Sequence, residues 1–150
     1  MSLKERLTED MKQAMKDKEA GKLRLSVIRM VRANIKNVEI DRKKELSEEE
    51  VLEVLAKEVK MRRDSLEEFQ KANRTDLVQS LQQEIEILTQ YLPEQLSEAE
   101  VRSLVTEAVD STQASGPKEM GKVMAVLMPK VKGRADGKMV NAIVRELLNK

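Results

Sequence analysis

Four cations fall within nine residues of one another: Lys130, Lys132, Arg134 and Lys138, in the stretch Pro129-Lys-Val-Lys-Gly-Arg-Ala-Asp-Gly-Lys138. Lys122 lies a little upstream in Met120-Gly-Lys-Val-Met124. Ammonium and guanidinium groups gathered this closely suit anion binding, with guanidinium adding a planar fork of donors that matches phosphate. Gly133 fits a tight turn, and a helix starting at Asp136–Gly137 would aim free backbone N–H groups at an anion. The second cationic set is spread along helical positions: Arg29, Arg32 and Lys36, with Arg62 further on. A charged helix face is commonly just a solvated face, so this set is the weaker candidate.

A basic loop needs a frame. Val123, Met124, Leu127 and Met128 before it, and Met139, Val140, Ile143, Val144 and Leu147 after it, predict two apolar-faced helices that hold it in place. Earlier in the chain, Ser2, Ser47 and Ser97 each stand three residues before a glutamate, the capping-box pattern of a helix start. Leu3, Leu7, Met11 and Met15 predict the first helix, ended or bent by Gly21. Leu23, Val27, Val31, Ile35 and Val38 predict the second, over about 22–43. Leu52, Leu55, Val59, Arg62, Leu66 and Phe69 alternate three and four apart, a heptad seam with an arginine in it. That arginine lays its stem on the seam, pairs with a carboxylate, or has a functional role. Asn73 or Thr75 is the expected cap of a fourth helix carrying Val78, Leu81, Ile85, Leu88 and Leu92. Pro93 then stops the pattern. The expected fold is all-α: a long antiparallel N-terminal helical bundle or hairpin over 1–92, a linker over 93–97, and a small three-helix domain over 98–150. Pro129 is expected to end the helix before the loop and Asp136 to cap the one after it. Gly121 is a candidate for close helix packing.

Composition closes off much chemistry. The 150 residues hold 28 Lys+Arg against 27 Asp+Glu, so no global field steers the chain to nucleic acid or membrane. Histidine and cysteine are absent, which removes the usual zinc ligand sets and the Ser-His and Cys-His nucleophile pairs. Phe69 and Tyr91 are the only aromatics, too few to read single strands by base stacking. Gly133 to Met139 resembles a phosphate loop only superficially: the spacing is short and no Ser or Thr follows the lysine. Glu84, Glu86 and Glu94 could serve as acid, base or metal ligands, but 27 acidic residues guarantee chance clusters. No catalytic residue, cofactor or metal is assigned. No opening signal segment and no apolar run long enough to cross a bilayer is present, which points to a soluble, cytoplasmic protein.

Several of these stretches together carry a family resemblance. Val27-Ile-Arg-Met30, Lys60-Met-Arg-Arg-Asp-Ser65, Asn73-Arg-Thr-Asp-Leu77, Tyr91-Leu-Pro-Glu-Gln-Leu96, Met120-Gly-Lys-Val-Met124 and Met128-Pro-Lys-Val-Lys-Gly-Arg-Ala-Asp-Gly137 resemble the YqeY family of bacterial cytosolic proteins over essentially the whole chain. Residues from about Glu98 to Asn149 also resemble the tail domain of GatB, a subunit of the glutamine-dependent Asp/Glu-tRNA amidotransferase. This sequence has Arg134 where lysine is common and Asp136-Gly137 where that tail more often has Asn-Pro. The resemblance implies a helical module that helps hold tRNA, with Lys122, Lys130, Lys132, Gly133 and Arg134 as its candidate contacts; Lys138 joins them only as a further cation of the same loop. It also implies association with carbon–nitrogen ligase activity that uses glutamine as amido donor, although no residue here performs that reaction. Physically, the loop cations could neutralise several phosphates of a folded RNA, or merely solvate a turn. The other reading is a protein–protein adaptor that takes its partner through the N-terminal helices.

Overall fold

Ser2 starts the first helix by accepting the Glu5 N–H on its side chain, and α1 runs Leu3–Lys16. The computed structural model describes residues 1–149, and every regular element among them is helical. A short 3-10 turn, Lys18–Gly21, leads into α2 (Lys22–Arg42); α3 (Glu48–Lys71) and α4 (Thr75–Thr89) follow. Then come α5 (Glu98–Thr112), a second 3-10 turn at Pro117–Glu119, α6 (Met120–Val131) and α7 (Gly137–Leu148). The protein is all-α. Contacts group it into two units, Met1–Leu92 and a second starting at Pro93.

In the first unit α1 to α4 close around Leu7, Val27, Ile28, Val31, Leu55, Val59, Leu88 and Tyr91. The stripe of α1 is Leu3, Leu7 and Ala14 with half-buried Met11, whereas Met15, expected on it, is 51% exposed. A strict spacing of four gains about 40° per step on a 3.6-residue turn, so by Met15 the pattern has rotated off the core. Gly21 does more than end a helix. It is buried, and a Cβ there would collide with the backbone of Ala14, so the α1–α2 corner closes only over glycine. Ser47 and Glu50 form a full reciprocal capping box at α3. Asn73, expected as a helix cap, instead takes the left-handed conformation (φ 57°) that ends α3, and the N-cap of α4, Arg74, makes no side-chain capping bond. Asparagine tolerates that conformation better than most residues. On α3, Val51, Leu55, Glu58, Val59 and Arg62 are buried; Leu52, Leu66 and Phe69 are only partly so. Tyr91 anchors the end of this unit. Its hydroxyl donates to Asp10, Arg24 pairs with the same carboxylate at 3.3 Å, and the Arg6 guanidinium lies 4.9 Å over its ring.

The second unit packs α5, α6 and α7 around Val101, Val105, Val123, Leu127, Val131, Val140 and Val144. Ser97 caps α5 by accepting the Glu100 N–H, and Asp136 caps α7 by accepting the Lys138 N–H at 3.3 Å. Met128, expected on the buried face of α6, is 41% exposed; Val123, Leu127 and Val131 form that face. Nor does Pro129 end the helix. The turn continues to Val131, because Pro129 is on the exposed side of the last turn and forfeits only one helical bond there.

Candidate anion-binding surfaces

The loop after α6 is built by its own backbone. Beyond Val131 the N–H groups of Arg134 and Ala135 both donate to the Val131 carbonyl, at 2.9 and 3.1 Å. Gly133 takes φ 73°, a left-handed turn that favours glycine. Residues 93–97, expected as a linker, are laced onto this turn. The Leu96 N–H donates to the Arg134 carbonyl at 2.7 Å, and the Gln95 amide donates to the Gly133 carbonyl at 2.9 Å. Arg134 completes the lacing, its Nε donating to the Glu94 carbonyl at 3.2 Å and Nη1 to the Lys130 carbonyl at 3.5 Å. Two of its five guanidinium N–H groups are thus engaged on carbonyls of α6 and the preceding strap, so Arg134 helps to position the loop.

What faces outward is lysine. The ammonium groups of Lys118, Lys122 and Lys130 are exposed and make no ion pair or hydrogen bond among the described residues; Lys132 and Lys138 are exposed as well. Lys122, Val126 and Lys130 stand four apart on α6, and Lys118 lies in the 3-10 turn just before it. Lys118 was missed by motif reading, although its spacing of four to Lys122 is visible in the sequence. Two acidic residues lie between Gly116 and Lys138, and both are turned to the backbone: Glu119 accepts the Ser115 N–H at 2.6 Å, and Asp136 caps α7. That cap also corrects an expectation. The N-terminus of α7 is occupied by its own carboxylate, which would repel an incoming anion. Gly121, expected to serve close packing, is exposed, and a Cβ there would meet nothing within 4 Å.

The second basic set separates. Arg29, Arg32 and Lys36 share one exposed face of α2 and, with Lys4 of α1, line a groove of about 440 Å³. Its one carboxylate, Glu39, already accepts from the Lys4 ammonium and from the Leu46 N–H at 2.8 Å. Those two bonds hold its carboxyl below the usual range. Arg62, grouped with this face in the sequence reading, is instead buried at 7% exposure. Its Nη1 donates to Glu58 at 2.6 Å and its Nε to Glu84 at 3.3 Å; Asn34 donates to the far oxygen of Glu58 at 2.6 Å. Glu58 precedes Arg62 by four residues, the signal in the sequence for this pairing. Arg62 therefore leaves the binding set, and Glu84 is committed to it. Among the described residues no group of three acidic or other metal-ligating side chains could hold an ion, and no helix is long and apolar enough to cross a membrane.

The profile described as "Yqey-like protein" matches residues 4–148. The chain belongs to the YqeY-like family. Relatives in fungi carry the name "Altered inheritance of mitochondria protein 41, mitochondrial". The one from Pyrenophora tritici-repentis is 32% identical over 146 residues, covering 95% of this chain and 79% of the relative. Those from Lachancea thermotolerans and Kluyveromyces lactis are 40% and 41% identical, each covering 74% of this chain and 60% of the relative. The chain thus spans about three fifths of the length of two of these relatives. Their names overturn the cytoplasmic expectation. That expectation leaned on the residues that open this chain, and a YqeY-like chain matching part of longer, mitochondrially named proteins carries no compartment information there.

Proposed function

We propose that this YqeY-like chain is an RNA-binding accessory module that grips the backbone of a folded RNA such as tRNA with the lysine face of α6 and its following loop. The observation that carries this reading is the charge segregation in a nearly neutral unit. Residues 118–138 contribute six cations and two carboxylates, and both carboxylates are bonded to backbone N–H groups. Resemblance to the GatB tail favours tRNA as the RNA and an amidotransferase as the setting. Three phosphates contacted through Lys118, Lys122 and Lys130 would make affinity fall roughly 20–40-fold between 50 and 200 mM salt. Without aromatic platforms nearby, recognition is of shape and backbone, with little base selectivity. An electrophoretic shift with tRNA tests it: Lys118→Glu/Lys122→Glu/Lys130→Glu is expected to abolish the shift at unchanged helicity, and a shift equal to wild type would remove the reading. Arg134 is left out of that variant because its guanidinium holds the loop together.

A second reading, a protein partner for the first unit, is favoured by Met30, Ile40 and Met61, all large apolar side chains more than half exposed. A photo-crosslinker placed at Met61 is expected to trap a discrete protein adduct in cells under that reading, and its absence argues against it.

A further inference from the structure

The groove between α1 and α2 has no part in the RNA reading, yet it gathers four cations around one carboxylate. Lys4, Arg29, Arg32 and Lys36 line it against the single carboxylate Glu39, whose Oε2 already accepts from both the Lys4 ammonium and the Leu46 N–H. The Arg29 and Lys36 side chains have no hydrogen-bond or ion-pair partner among the described residues, although the Lys36 charge acts on Glu39 through space, and Arg32 has only the Met11 sulfur, at 2.9 Å. Positions 29, 32 and 36 are spaced three and four apart, so their side chains follow one line along α2. At about 1.5 Å rise per residue the line is roughly 10 Å long. The floor beneath it is apolar: Leu7 is fully buried and Ile35 nearly so, which lowers the local dielectric and strengthens any ionic contact made above it.

We propose that this groove binds a small molecule bearing a linear polyphosphate, with the phosphate chain lying along Arg29, Arg32 and Lys36. Three point charges in a row match a ligand whose negative charges are also in a row, whereas a single carboxylate or phosphate would engage one of them. The two guanidinium groups supply forked donors suited to phosphate oxygens, and Lys36 supplies a compact charge at the end. A volume of about 440 Å³ suits a ligand of nucleotide size. No aromatic residue lines the groove, so nothing there would stack on a base. Binding is therefore expected to read the phosphates and ignore the base.

Calorimetric titration of the whole chain with tripolyphosphate, ATP and GTP tests this, with tRNA as a separate arm for phosphate presented by RNA. Tripolyphosphate is expected to bind, with ATP and GTP agreeing to within about two-fold because the base is not read. Arg29→Glu/Arg32→Glu, both at exposed positions, is expected to weaken all three ligands at least about ten-fold through loss of charge-assisted bonds. Lys36→Gln alone is expected to weaken them less but measurably. The variant Lys122→Glu/Lys130→Glu is expected to keep full tripolyphosphate affinity while losing tRNA, which separates this site from the RNA face. Unchanged tripolyphosphate binding in the Arg29/Arg32 variant overturns the proposal. So does a wild-type chain that binds no tripolyphosphate while its tRNA affinity depends on Arg29 and Arg32, since the groove would then be reading an RNA backbone.

Discussion

Replacing Arg62 by methionine is expected to destabilise the first unit by far more than the loss of an ordinary surface charge. Arg62 is 7% exposed and its guanidinium bridges Glu58, 8% exposed, and Glu84. Methionine keeps much of the aliphatic stem but leaves two carboxylates facing each other without a cation. Removing one partner of a buried pair costs about 3–5 kcal/mol, against about 0–1 kcal/mol for an exposed pair. Tyr91 provides the assay: it is the sole tyrosine, there is no tryptophan, and it is buried in this unit. Its fluorescence during urea unfolding therefore follows the first unit alone. With a slope of about 1–1.5 kcal/mol per molar urea, the midpoint is expected to fall by about 2 M or more. Glu58→Leu/Arg62→Met/Glu84→Leu removes the charges together with their cation and is expected to recover most of that loss, since apolar replacements of a buried ion cluster are often neutral or better. A loss below about 1 kcal/mol for Arg62→Met, or a triple variant no more stable than the single one, would refute the view that these charges are held out of water.

Two glycines are expected to respond oppositely. Gly21→Ala forces the Ala14 backbone away and should cost several kcal/mol, while Gly121→Ala, in open space on a helix, should gain up to about 1 kcal/mol, both read from thermal unfolding. Glu50 sets an acid dependence. The Ser47 backbone N–H, then the Lys44 ammonium, pull its carboxyl from 4.5 down to about 2, so its contribution is complete above pH 4.5 and is lost as pH falls towards 2. Glu50→Gln should flatten that part of a midpoint-against-pH curve. At the alkaline end, burial first and Asp10 second push Tyr91 from 10 up to about 12. The neutral phenol is thus the form the fold favours, its contribution intact below pH 10 and lost as pH rises towards 12. Absorbance at the tyrosinate band should show the ionisation near 12 in the folded chain and near 10 in urea.

Helix starts were legible because they are local: Ser2, Ser47 and Ser97 cap through an N–H three residues on, a pattern that sequence displays directly. Helix ends were less so. Lys43, Asn73 and Gln113 take left-handed conformations that glycine would have advertised, and Pro129, expected to end its helix, sits inside the final turn. The roles of single cations were hidden for a different reason. Arg62 and Arg134 look like binding residues in sequence, but Glu84 and the Glu94 carbonyl reach them from 22 and 40 residues away. Spacing can propose which cations share a face; only the fold says which of them are already occupied. Lys118 shows the converse, a residue outside every motif that adds an exposed ammonium in the 3-10 turn leading into α6.

Contact between RNA phosphates and the exposed lysines on and beside α6, as proposed, would be written in the salt dependence of binding. Its most direct measure is the slope of log affinity against log salt for tRNA. Each lysine that neutralises a phosphate contributes about 0.7–0.9 to that slope, so Lys122→Gln/Lys130→Gln is expected to reduce it by about 1.4–1.8 without changing the folded state. A slope identical in wild type and variant would contradict the account.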